Sequence, residues 1–325
     1  YIGYSFPLDD ILKILVLFYV FLCTLNLIFV LLFLPLGVMP DPFYQGAWRG
    51  IFWHRNYLGT FMALGVVLFL LNILAGRKKS RGEFILNLVM LALSSLLLIK
   101  SKNATGEITA VVLVGLVLIL FFWLKWHHKI KQIHYYGFLS LAIAGVSVVF
   151  IKLDFFLGLF GRNSSLTGRV PMWGYLLQNI ISQRPWLGYG YGAIWHMEGF
   201  LEEVERIVNW GVGMGDNGYI DILLHLGVVG LIAIIGLIVT GMVRGVKFFL
   251  RQNDLQAAFP VLLLVFLVLA NITFSLILES ETFYWMLAIA LLVSIASRFT
   301  AQTEVEKLPE SMVNRNIPYN KLPST

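Results

Sequence analysis

Arg169, Asp216 and Asn217 lie in a polar stretch, about Asp154 to Gly218, that interrupts an otherwise membrane-soluble chain. Further cations stand at the ends of apolar runs. Arg55 precedes one, Lys102 separates two others, and Arg162 follows a third, ahead of Arg169. Arg184 and Arg206 lie further along the polar stretch. A basic residue at a span end can simply snorkel to the headgroups. Gathered on one face together with a carboxylate, the set suits an anion instead. A guanidinium holds two oxygens of an oxyanion at once and keeps its charge when partly buried.

The polar stretch has readable grammar. In SSLTGRVPMWGYLLQNIISQRPWLG, Ser165 or Thr167 can cap a helix and Pro171 fits a first turn. Trp173, Leu176, Leu177, Ile180 and Ile181 recur at helical spacing, so an amphipathic helix is predicted, ending near Gln183. Arg169 then stands at the start of this helix, where free amides and the dipole favour an anion. GYGYG, Gly188 to Gly192, has no strand before it, so it does not read as a dinucleotide loop. A tight turn carrying Tyr189, Tyr191 and Trp195 to a bilayer interface or a sugar fits it better. MEGFLEEVERIVNW predicts a second short helix with Glu202, Glu203 and Glu205 on a solvated face. Asp216 then sits just before a span. Within that span Asp221 and His225, four residues apart, are expected to satisfy each other. Gly227 and Gly230 are expected to allow close helix approach.

These residues need a membrane scaffold. Of the 325 residues, 58% are hydrophobic and 13% charged. The mean hydropathy of +0.81 lies outside the range of soluble domains. The apolar runs are continuous, so the predicted fold is all-α and polytopic. Eight spans are read: about Ile11–Leu34, Asn56–Ala75, Phe84–Ile99, Ile108–Leu124, Tyr135–Leu153, Tyr219–Val243, Ala257–Ile277 and Phe283–Ser297. The third and the eighth are short for a hydrocarbon core about 30 Å thick. Residues 1–297 form the membrane domain, with 154–218 as its long loop and 298–325 as a flexible cytoplasmic tail. The start at Tyr1 suggests that an N-terminal part precedes it.

Arg77, Lys78, Lys79 and Arg81 fall on one side, together with Lys125, Lys129 and Lys131, then Arg244, Lys247 and Arg251, and the tail. The positive-inside rule makes that side cytoplasmic and the Asp154–Gly218 loop extracytoplasmic. The net charge of +6 is therefore a matter of topology, and no nucleic-acid partner is expected. Cys23 is the single cysteine, which excludes an intrachain disulfide and a thiolate metal cluster. No P-loop, HExxH or paired-Cys motif occurs, and His127 and His128 lie in a basic loop without carboxylates.

LTGRVPMWGYLLQNIISQRPWLGYGYG resembles the long-loop signature of the O-antigen ligase and polysaccharide polymerase superfamily. That signature continues with a His followed by Asn, Ser or Gln, then nine residues, then Gly-x-x-Gly. Here Asp216-Asn217 is followed by nine residues, Gly218 to Leu226, and by Gly227-Val228-Val229-Gly230, so Asp replaces the His. Upstream, WHRNYLG (Trp53 to Gly59) is similar to the family's HKN-x-LG element. KSKNATGEITAVVLV is similar to its Ser-Arg element, with Lys102 in the Arg position. The likeness runs from about Ile51 to Gly230.

The resemblance implies a glycosyltransferase of the bacterial inner membrane, active on its extracytoplasmic face, that takes a glycan from undecaprenyl pyrophosphate to an acceptor sugar hydroxyl. It implies inversion and no metal, cofactor or nucleotide sugar. Arg169 and Arg55 would then hold the pyrophosphate, with Lys102 and Arg162 as further candidates. Asp216 would be the general base or would orient the acceptor, with Asn217 beside it, and Trp173 would contact substrate. The partners are the lipid-linked glycan, an acceptor glycan, the bilayer and a candidate chain-length regulator. Asp in place of His favours a polymerase of exopolysaccharide or O-antigen over a ligase to lipid A–core. A flippase of the same lipid-linked glycan and a non-enzymatic export scaffold are the rival classes.

Overall fold

The structure is a computed structural model that describes residues 2–40, 44, 46–75, 80–126, 169–208, 211–279 and 282–306. Each described apolar run forms helix because a chain in hydrocarbon must satisfy its amides internally. The first helix, α1 (Leu8–Leu32), starts after Pro7 with Asp9 and Asp10 in its first turn. A single turn, Leu34–Gly37, follows it. The second, α2 (Arg55–Leu74), is capped by His54, whose side chain accepts from the Asn56 amide. The third, α3 (Arg81–Ser101), opens on a capping box in which Ser80 and Glu83 bond each other's backbone amides. The fourth, α4, spans Ala104–Trp126.

In the polar stretch, α5 (Arg169–Tyr175) continues as a π turn to Ile180 and a 3-10 turn to Gln183, and α6 spans Phe200–Val208. Then come α7 (Gly218–Gln252), α8 (Phe259–Ala270) and α9 (Phe283–Glu306). Among the described residues the only strand-like pairing is one bridge, Val38 to Trp48. The chain is thus an all-α, multi-pass membrane protein.

Helices α1, α2, α3, α4 and α7 are long and apolar enough to cross a bilayer, and Leu255–Ala270 and Phe283–Ser297 are shorter apolar pieces. The expected third span is longer than predicted, at 21 residues, because the capping box adds a polar first turn. α9 likewise runs past Ser297 to Glu306, into what was expected as flexible tail. The expected seventh span, Ala257–Ile277, is corrected. Its helix stops at Ala270, and the chain turns through Asn271, whose Oδ1 accepts from the Leu276 and Ile277 amides. The expected fifth span, Tyr135–Leu153, lies outside the described residues, as do Ser165, Thr167 and residues 307–325.

The centre of the bundle is α2, packed against α3 and α4. Tyr19, Leu58, Met62, Phe69, Leu97, Leu113, Phe259 and Phe266 are fully buried around it. One end of the bundle is tied by Gln256 to Asn72 at 2.6 Å and Asn72 to Asn87 at 3.1 Å. Arg251 ends α7 at this end. The opposite end gathers the 33–54 connection, Lys102 and Asn103, the 169–217 stretch and the 271–282 turn. A second, smaller core belongs to that stretch: Met172, Leu176, Ile180, Trp195, Phe200 and Val204 pack on Ile220 and Leu224 of α7.

Candidate functional site

Two upstream motifs form one unit at this end. Asn103 donates to the Asn56 carbonyl at 3.0 Å and to the Thr60 hydroxyl at 3.2 Å. This binds the start of α2 to the α3–α4 turn. Arg55, the first residue of α2, is 4% exposed and donates to the carbonyls of Ser101 (3.2 Å) and Lys102. Its guanidinium lies 4.4 Å from the centre of the Tyr44 ring. Lys102 itself is exposed and takes the left-handed conformation that ends α3 (φ 52°). Arg55 and Lys102 therefore share one corner, with Arg55 buried as part of its wall.

The second cluster lies across the site end. Arg169 donates to Oδ2 of Asp216 from Nε at 2.9 Å and from a terminal nitrogen at 2.8 Å. Their side chains are 17% and 15% exposed, so the pair is sheltered yet open on one side. Asp216 is held at φ 49°, a conformation that costs a non-glycine residue energy and needs support from its neighbours. That support is local. Trp173 donates its indole N–H to the Gly215 carbonyl at 2.8 Å. The Gly215 amide donates to Asp221 at 3.0 and 3.2 Å. Asn217 caps α7 by accepting from the Tyr219 and Ile220 amides, and its Nδ2 donates to the Ile272 carbonyl at 3.0 Å. Asn217 and the indole nitrogen of Trp173 are thus brackets for Asp216, with their hydrogen bonds spent on the backbone.

Sequence reasoning missed the 271–275 turn, which ties the two clusters together. Thr273 and Thr105 of α4 share a hydrogen bond of 2.5 Å. Phe274 meets the Tyr57 ring edge-on at 5.0 Å. The Gly218 amide donates to the Asn271 carbonyl at 2.9 Å, and the Ser275 hydroxyl to Asp221. A visible signal existed: Asn271, Thr273 and Ser275 are polar letters inside an apolar run.

Three expectations are corrected here. Asp221 and His225 do not satisfy each other: Asp221 is taken by Gly215 and Ser275, while the His225 ring packs on Tyr191 at 5.3 Å. Leu177 is 44% exposed, because the π turn rotates it off the buried face. The GYGYG tyrosines also do not reach out with their hydroxyls. Tyr189 donates to the Ile180 carbonyl and Trp195 is buried, while Tyr191 donates to the Leu278 carbonyl with its ring still exposed.

Gly227 has a different use from close helix approach. α7 is broken at Gly227 (φ 64°, ψ −164°). The 185–190 segment enters the break. Tyr189 and Gly190 donate to the carbonyls of Leu224 and His225, and Val228 and Val229 donate to those of Pro185 and Trp186. A Cβ on Gly227 would stand 2.3 Å from the Trp186 carbonyl, and one on Gly188 would stand 2.6 Å from that of Leu224. Only glycine fits at both. Arg162 lies outside the described residues.

Residues 88–235, which include Lys102, Arg169, Asp216 and the Gly227 break, match the family model described as O-antigen ligase. The chain is also 25% identical over 211 residues to the exopolysaccharide production protein ExoQ of Rhizobium meliloti (strain 1021). That alignment covers 63% of this chain and 48% of the relative, so the chain spans about half the length of the curated relative it matches. The chain is thus similar to the O-antigen ligase family over residues 88–235.

Proposed function

We propose that this protein transfers a glycan from a polyprenyl-diphosphate carrier to an acceptor sugar hydroxyl, and that it does so as a polymerase. The observation that carries this reading is the Arg169–Asp216 pair, sheltered at one end of a membrane bundle. Transfer requires a place for a leaving diphosphate and a group to receive the acceptor proton. Arg169 spends two of its five donors on Asp216 and has others for phosphate oxygens. Asp216 receives both of those bonds on Oδ2, and Oδ1 takes none among the described residues.

In the proposed step the acceptor oxygen attacks the anomeric carbon as its bond to the diphosphate breaks. The hydroxyl proton passes to Asp216, and the polyprenyl diphosphate leaves against Arg169. A single displacement inverts the anomeric centre. Charge stabilisation of this kind is usually the largest catalytic contribution, and proton transfer adds about 10²–10⁴-fold. Lys102 supplies a second cation at the opposite corner, with Arg55 in the wall behind it. Arg251, which ends α7 at the other end, supports an extracytoplasmic site.

A transporter of the same lipid-linked glycan is the second reading, favoured by the break in α7 and the early end of α8. Purified protein in liposomes with an undecaprenyl-diphosphate oligosaccharide separates the two. Longer glycan together with free undecaprenyl diphosphate supports transfer. Movement of intact donor across the bilayer with no new bond sinks it. Short, single-unit surface glycans in a deletion strain identify a polymerase, and long unattached chains identify a ligase.

A further inference from the structure

The 184–187 segment carries two large apolar side chains with no place in either core. Trp186 is 69% exposed and Leu187 is 73% exposed. Their height along the bundle is set by backbone hydrogen bonds, because the Trp186 carbonyl accepts from the Val229 amide inside the kink of α7. Val229 and Ile232 are themselves exposed on a helix whose most apolar window has a mean hydropathy of 2.9. Trp186 and Leu187 therefore continue the exposed apolar surface of α7.

Depth can be counted along α7. Arg244, Lys247 and Arg251 mark its far end. A hydrocarbon core is about 30 Å thick. Counted from Val243 along the unbroken part of α7, Val229 lies about 21 Å in at 1.5 Å per residue, and so about 9 Å inside the near boundary, within the roughly 5–10 Å at which interfacial segments lie. A non-helical backbone tolerates that depth only when its polar groups are paired. Here they are. Pro185 and Trp186 carbonyls accept from α7, the Arg184 carbonyl accepts from Gly188, and the Tyr189 and Gly190 amides donate to α7. Arg184 stands just before the apolar pair, its guanidinium 5.1 Å from the centre of the Tyr189 ring, where a cation meets headgroup phosphates. Trp is the residue best suited to that boundary, with an apolar body and one N–H.

We propose that Trp186 and Leu187 form a membrane-immersed hook that inserts into the leaflet on the Asp216 side, with Arg184 at the phosphate level. The partner is the lipid itself, not a protein or a glycan. The hook and the site share one rigid attachment: the same segment continues into the small core on which α5 and Arg169 rest. Lipid contact at the hook thus fixes the height of Arg169 and Asp216 above the acyl chains.

The test uses the full chain with its single cysteine, Cys23, changed to alanine and Leu187→Cys carrying an environment-sensitive fluorophore, in liposomes of phospholipid alone. Glu202→Cys in α6 is the control. The expected result is strong quenching of the Leu187 probe by lipids spin-labelled near the headgroup, with protection from aqueous iodide, and the reverse at Glu202. Equal iodide access at both positions would overturn the proposal and leave the pair free for another partner. A label-free measurement guards against misfolding of the cysteine variants. Trp186→Phe should lose a measurable part of the intrinsic-fluorescence quenching by brominated lipid, and an unchanged quenched fraction counts against the hook.

Discussion

Arg169 grips Asp216 by a single carboxylate oxygen, with two nitrogens at 2.9 and 2.8 Å, across 47 positions of sequence. The pair closes a ring through Gly215 and Trp173, since the same helix that presents Arg169 also bonds the backbone ahead of Asp216.

Arg169→Ala and Asp216→Ala should each lower glycan chain formation by about 100-fold or more, given the usual size of charge and proton-transfer contributions. Arg169→Lys should remain impaired, because an ammonium cannot make the two-nitrogen contact. Chain length on gels from liposomes, with membrane-inserted protein measured by blotting, checks this. Normal chains in either alanine variant would remove these residues from the proposed role.

Asp221 acts at a distance of one residue. Asp221→Ala strands the buried Gly215 amide and Ser275 hydroxyl, at about 1–3 kcal/mol for each unsatisfied group. Thermal unfolding in detergent should shift down. Asp221→Asn keeps an acceptor for Gly215 and should recover most of the lost Tm. Equal Tm values for the two variants would show that the carboxylate does not hold the loop.

The break in α7 predicts opposite outcomes for two glycines of one helix. Gly227→Ala meets the Trp186 carbonyl and a left-handed backbone, for about 1–3 kcal/mol of strain before any repacking. Gly236→Ala has open space around it and should be neutral or stabilising by about 1 kcal/mol. Limited proteolysis reads the difference, with new cleavage near residues 185–190 in Gly227→Ala alone.

Asn103→Ala removes two of the bonds that hold α2 to the α3–α4 turn. The buried partners lose about 1–3 kcal/mol. The carbonyls that fix Arg55 lie in this turn, so activity should fall further than the Tm alone would suggest. A variant that loses stability but keeps its specific activity would make Asn103 purely structural.

The helices and the residues worth suspecting could be read in advance, because continuous apolar runs and misplaced cations are both local signals. Arg169 and Asp216 stood out by type and position, and the family spacing singled out Gly227. The tertiary use of each residue could not be read. Four residues between Asp221 and His225 look like a pair on paper, but the true partners of Asp221 come from Gly215 and from Ser275, 54 positions away. The end of α8 was hidden because LANITFSLIL has nearly the composition of a span. What stops the helix is the Asn271 side chain claiming the Leu276 and Ile277 amides. The partner strip for the α7 break lies about 40 residues upstream in the Pro185–Gly190 segment, a pairing that no periodicity encodes.

Asn271 has one more effect. Its backbone carbonyl holds the first amide of α7, and its side chain terminates α8. The two helices are stitched at their tips and cannot part there like a pair of doors. In the proposed reaction a bulky lipid-borne sugar must therefore approach from another flank, and that flank is where portal mutations should be sought.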